Sequence, residues 1–101
     1  MKRFWLFAGT DQPAGGMGDY QEGGQQINTL LKWINENKTV DKLKGLPFTW
    51  FEIVDVNTGV VKVKGNRQFT SDSIINKGVD YYSFNMEKEK WEKLKKNKFS
   101  L

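Results

Sequence analysis

The sequence predicts an α+β fold: a three-stranded antiparallel sheet packed on one helix, with a helical C-terminal extension. Three observations predict it. Phe4-Trp5-Leu6-Phe7-Ala8 is an apolar run of strand length. Ile27, Leu30, Leu31 and Ile34 recur at helical spacing. Two runs rich in β-branched and aromatic residues, Phe48 to Val56 and Val60 to Lys64, flank Asn57-Thr58-Gly59, a hairpin turn in which Gly59 takes positive φ.

In the first strand, Phe4, Leu6 and Ala8 point to one face and Trp5 and Phe7 to the other. Both faces are apolar, and one helix covers only one of them. The second face therefore calls for the C-terminal segment or another subunit, and a homo-oligomer is expected. Gly9 to Gly24 follows as a long loop and holds six of the ten glycines. Unstructured loops of this length are uncommon in compact domains and are often functional. The helix is expected from about Gln25 to Asn37, with Trp33 on the flank of its apolar stripe. Val40 to Leu46 reads as a polar connection stopped by Gly45 and Pro47. In the hairpin, Val61 and Val63 share one face, and Lys62 and Lys64 share the other.

After Gly65-Asn66, Ser71 or Asp72 can cap a short helix through Ile74 and Ile75, with Gly78 as its stop. Val79 to Phe84 reads as extended. Asn85 is placed as the cap of a last helix, Met86 to about Asn97, anchored by Trp91 and Leu94. Lys88–Glu92 and Glu92–Lys96 are then spaced as ion pairs on a solvated helix. The chain of 101 residues is one domain, with a core at residues 1–65 and an extension at 66–101.

Composition excludes much chemistry. With no cysteine and no histidine there are no disulfides, thiolate nucleophiles or imidazole bases, and no metal site or cofactor is expected. No apolar run approaches the ~20 residues that span a bilayer. The stretch after Met1-Lys2-Arg3 ends at Ala8, too short for a signal-peptide core. A cytoplasmic protein without membrane contact is expected. The net charge of +4 is concentrated in Glu87 to Lys98, where six lysines meet three glutamates. Only Arg3 and Arg67 carry guanidinium groups, too few for a dedicated DNA reader.

The glycine loop has the position of a phosphate cradle, between a strand and a helix N-terminus. It lacks the Gly-Lys-Ser/Thr ending of a Walker loop and the offsets of a dinucleotide fingerprint. It carries Asp11, Asp19 and Glu22 but no basic residue, so a phosphate there requires Arg3, Arg67 or a lysine. The alternative is a structural Ω-loop. Asp19-Tyr20 is the pair to single out. A carboxylate accepts two hydrogen bonds from the guanine edge, and an adjacent ring stacks on a base. The competing role is a turn cap for Asp19 and helix packing for Tyr20. Fourteen aromatic residues exceed the needs of one small core, which leaves rings such as Trp5 for a ligand or a subunit contact. The candidate acids and bases are carboxylates alone, with no paired motif, so catalysis is not expected.

The pattern Phe7-Ala8-Gly9, Pro13, Gly15-Gly16, Asp19-Tyr20, with Val54-Asp55-Val56-Asn57-Thr58-Gly59 further on, resembles a small family of phage and prophage proteins. The resemblance covers roughly the first 65 residues. Proteins of this kind include viral sponges, which sequester the cyclic nucleotide signals of bacterial immunity. The resemblance thus implies a non-catalytic counter-defence protein that binds a cyclic dinucleotide, with guanine as the expected base. The expected ligand contacts are Arg3, Trp5, Gly15, Gly16, Asp19, Tyr20 and Arg67. Two other readings stand beside it: an inhibitor that covers a host protein with its aromatic surface, and a nucleic-acid binder working through the lysine-rich helix.

Overall fold

The computed structural model describes residues 2–10, 20–37, 39–41 and 46–95. Strand β1 (Phe4–Gly9) pairs antiparallel on one side with β2 (Tyr20–Gly24). Helix α1 (Ile27–Glu36) follows, then a small two-stranded ladder of β3 (Thr39–Asp41) and β4 (Leu46–Pro47). β5 (Trp50–Asp55) pairs with the other side of β1 and turns into β6 (Val60–Asn66). A 3-10 turn at Ser71–Ser73 leads to β7 (Asp80–Asn85), which runs parallel to β6 and turns back into β8 (Lys90–Lys93). The result is a six-stranded mixed sheet in the order β2-β1-β5-β6-β7-β8.

This corrects the expected three-stranded sheet and the helical C-terminal extension. The predicted hairpin forms, with Gly59 at φ 73°, and the helix lies within its predicted span. Tyr20–Gly24, read as the end of the glycine loop, is an edge strand in which Phe7 faces Tyr20 and Trp5 faces Gly23. The short helix near Ser71 is a single 3-10 turn. Of the segment expected to be the lysine-rich helix, the described residues 86–95 hold a turn and strand β8, and the rest lies outside the described residues. Burial decides this outcome. Across β7 and β8, Phe84 faces Trp91, with ring centroids 5.5 Å apart. Trp91 also meets Phe51 edge to face at 4.9 Å and is only 3% exposed. The apolar area of these rings outweighs the helix propensity of the surrounding lysines and glutamates. Asn85 does accept the Glu87 and Lys88 N–H groups, as a helix cap would. The chain then reverses through Glu89, held at φ 53°.

The inner face of the sheet carries Phe4, Leu6, Ala8, Phe51, Ile53 and Val63 against Leu30 and Ile34 of α1. One helix covers so many strands because the sheet curls around it: α1 touches β1 and β2 at one edge and β8 at the other. Gly65 allows a tight point in that curve. The Phe51 ring lies so close that a Cβ there would stand 2.0 Å from its nearest carbon.

Candidate functional site

Alternation along β1 sends Trp5 and Phe7 to the face opposite the helix. The β1–β2 register brings Tyr20 beside them. The three rings form an edge-to-face cluster, with centroids 5.6 Å apart for Trp5–Tyr20, 6.1 Å for Phe7–Tyr20 and 6.4 Å for Trp5–Phe7. Tyr20 is 40% exposed, and Trp5 and Phe7 are half-buried. Gly23 makes room for the cluster. The Tyr20 hydroxyl and the Lys2 stem lie over it, where a Cβ would meet them at 3.0 and 3.1 Å.

The register continues this row across the sheet. Glu52 stands opposite Phe7, and Lys64 stands opposite Glu52. Among the described residues, the Glu52 carboxylate has no hydrogen-bond or ion-pair partner. The ring cluster is therefore flanked by a carboxylate and, beyond it, by a lysine, with Lys2 on its other side. Trp50 also belongs to this face but is nearly buried, its ring packed over Gly9.

The two arginines occupy different settings. The Arg3 guanidinium reaches the buried Asp55 carboxylate at 3.1 Å and lies 5.1 Å from the Phe4 ring centre. This contact lowers the Asp55 pKa from its ordinary value; burial opposes the shift and the Asn57 N–H supports it. Arg67 lies at the other end of the sheet. Its Nε donates to the Phe48 carbonyl at 2.7 Å, and its guanidinium sits 4.0 Å above the Phe84 ring. Burial lowers its pKa. The length of β1, about 17 Å at the strand rise, separates the two arginines. They do not converge on one phosphate, and each already holds a protein partner.

Trp5 and Tyr20 are thus brought together, whereas Arg3 and Arg67 lie at opposite ends. Gly15, Gly16 and Asp19 lie outside the described residues. The segment that contains them joins Thr10 to Tyr20, a member of the ring cluster. Thr10 also lines an open cleft of about 290 Å³ with Thr49, Asn66, Arg67 and Gln68. Phe7, Glu52 and Lys2 were not among the expected ligand contacts; Glu52 stood only among the candidate acids and bases, with Asp11, Asp19, Glu22 and Asp55. The alternation of Trp5 and Phe7 was a usable signal for Phe7. Glu52 needed the register of β5 against β1.

Among the described residues, no cluster of three carboxylates could hold a metal ion, and no helix is long and apolar enough to cross a membrane. Comparison of the chain with protein-family models, curated proteins and solved structures gave no match.

Proposed function

We propose that the protein is a non-catalytic binding protein that sequesters a nucleotide. In the phage setting that the sequence resemblance implies, the ligand is a cyclic dinucleotide immune signal containing guanine. The observation that supports this reading is the Trp5–Phe7–Tyr20 cluster on the face of the sheet opposite α1. Stacking on an aromatic ring contributes about 1–3 kcal/mol per base. Glu52, one strand away from Phe7, offers the acceptor pair that a guanine edge requires. Lys2 and Lys64 stand on either side for the phosphates.

The test is a titration with cyclic di- and trinucleotides, NAD-derived signals and mononucleotides, followed by tryptophan fluorescence and thermal unfolding. Ligand at about 100 times its Kd adds about 2.7 kcal/mol to stability. The ligand must be recovered intact after denaturation; a cleaved product rejects sequestration. A second reading, a surface for a host protein or a second copy of the chain, is favoured by one observation. The rings meet one another edge to face, so each already has a neighbouring ring as its partner. It predicts no response to any nucleotide, together with a stable complex or a dimer in sedimentation.

A further inference from the structure

β6 begins before its neighbour does. Its pairing with β7 starts at Val63 and ends at Gly65, so residues 60–62 have β5 on one side and no strand on the other. The backbone groups of a strand alternate between its two neighbours. In this stretch the register with β5 shifts between Val61 and Val63, and the Val60 N–H is held by Thr58 Oγ1 at 3.3 Å; on the side where β7 has not started, no strand pairs with its remaining backbone groups. The gap is a groove of about 380 Å³, walled across from Val60 and Val61 by Ile75 and Val79. Its rim is apolar and open: Val60 is 50% exposed and Ile75 87%. Lys62 and Lys64 are the charged residues in its lining.

We propose that this notch is a docking site for an acidic extended segment of a protein partner, which adds to β6 as a short strand. Each feature of the groove matches one feature of such a segment. The unpaired edge supplies backbone hydrogen bonds, as in other cases of strand addition. Val60, Ile75 and Val79 receive its apolar side chains. Lys62 and Lys64 select acidic residues over basic ones and place the site under salt control. The site lies two strands from Trp5 and shares only Lys64 with the nucleotide reading.

The test is an amide NMR titration of the whole protein with a blocked peptide of alternating glutamate and valine. Saturable shifts are expected at residues 60–62 and 75–79. Ile75→Asp, at a position exposed enough to leave folding intact, is expected to weaken binding about tenfold. Lys62→Glu, at the lining lysine the nucleotide reading does not use, is expected to weaken it similarly, and a lysine–valine peptide is expected not to bind. Equal binding of both peptides, shifts confined to Trp5, Phe7 and Tyr20, or no shift at all would overturn the proposal. Concentration-dependent shifts of residues 60–62 without peptide would also overturn it, by showing a second copy in the notch.

Discussion

The side chain of Asn35 completes the backbone of Trp91. The Trp91 N–H donates to Asn35 Oδ1 at 2.6 Å, and Asn35 Nδ2 donates to the Trp91 carbonyl at 3.5 Å. One amide on α1 thus stands where a seventh strand would pair with Trp91 of β8, and the helix covers the last edge of the sheet at that residue. At the opposite edge, Glu22 Oε1 accepts the Gly23 N–H at 3.1 Å. Covering an edge in this way discourages pairing between sheets.

Asn35→Leu leaves the Trp91 N–H unsatisfied in a nearly buried position. A loss of about 1–3 kcal/mol is expected in urea unfolding. Asn35→Asp keeps the acceptor and should lose less. Equal stability of Asn35→Leu and the native protein would show that the pairing contributes nothing.

The fold at Phe51 and Gly65 is a matter of volume. Gly65→Ala puts a methyl group inside the Phe51 ring. Overpacking of this kind costs about 1–3 kcal/mol. Phe51→Leu should relieve part of that cost in the double variant. The double-variant cycle should therefore show a coupling energy between the two sites. Simple additivity would mean that the ring moves aside freely.

The two hairpins share one turn plan. Asp55 and Asn85 each accept a backbone N–H two residues on, from Asn57 and Glu87, and each turn ends on a left-handed residue. The first turn uses Gly59 there and the second uses Glu89. A side chain in that conformation costs about 1–2 kcal/mol, part of which is offset by the extra freedom of glycine in the unfolded chain. Glu89→Gly is expected to raise stability by about 0.5–1 kcal/mol, measured by thermal unfolding. Gly59→Ala should lower it.

That contrast explains why β8 was not legible, although Val79 to Phe84, where β7 forms, was read as extended. The first hairpin announced itself through glycine and β-branched runs. The second has glutamate at its left-handed position and a Lys/Glu-rich flank, which together carry the signature of a helix. β2 was hidden for the opposite reason: two of its residues are glycine, and only the register with β1 makes it a strand. The strand–helix–hairpin core was readable because Leu30, Ile34, Ile53 and Val63 keep their periods. Trp5 and Tyr20 were named separately, one as a surplus ring and one as the neighbour of Asp19; their contact needed the register of β2 against β1. Arg3 and Arg67 were not legible as structural residues, because Asp55 and Phe84 lie far from them in sequence.

Acid should loosen the Arg3–Asp55 contact. Hydrogen bonding to Arg3 lowers the Asp55 pKa, so this carboxylate adds stability above its unfolded value, about 3.9. That contribution is lost as pH falls through the lower folded value. Arg3→Gln raises the folded value and is expected to move acid unfolding to higher pH, as followed by far-UV circular dichroism. An unchanged acid transition would remove Asp55 from the account.

Tyr20→Ala tests the ring cluster without disturbing the core, because Tyr20 is exposed. A loss of about 1–3 kcal/mol in nucleotide binding is expected, with the unfolding midpoint nearly unchanged. Full binding by Tyr20→Ala would move the site away from the rings.

The pairing of Asn35 with Trp91 joins residues 56 positions apart. During synthesis, α1 and β1 emerge long before the strand that seals the other side of the helix. Until β8 arrives, Phe51 and Ile34 have only part of their covering, and a nascent or truncated chain presents those groups to its neighbours. Such a chain gains its stability late and nearly all at once. Loss of the final hairpin should therefore bare Phe51, which Trp91 covers, and favour aggregation.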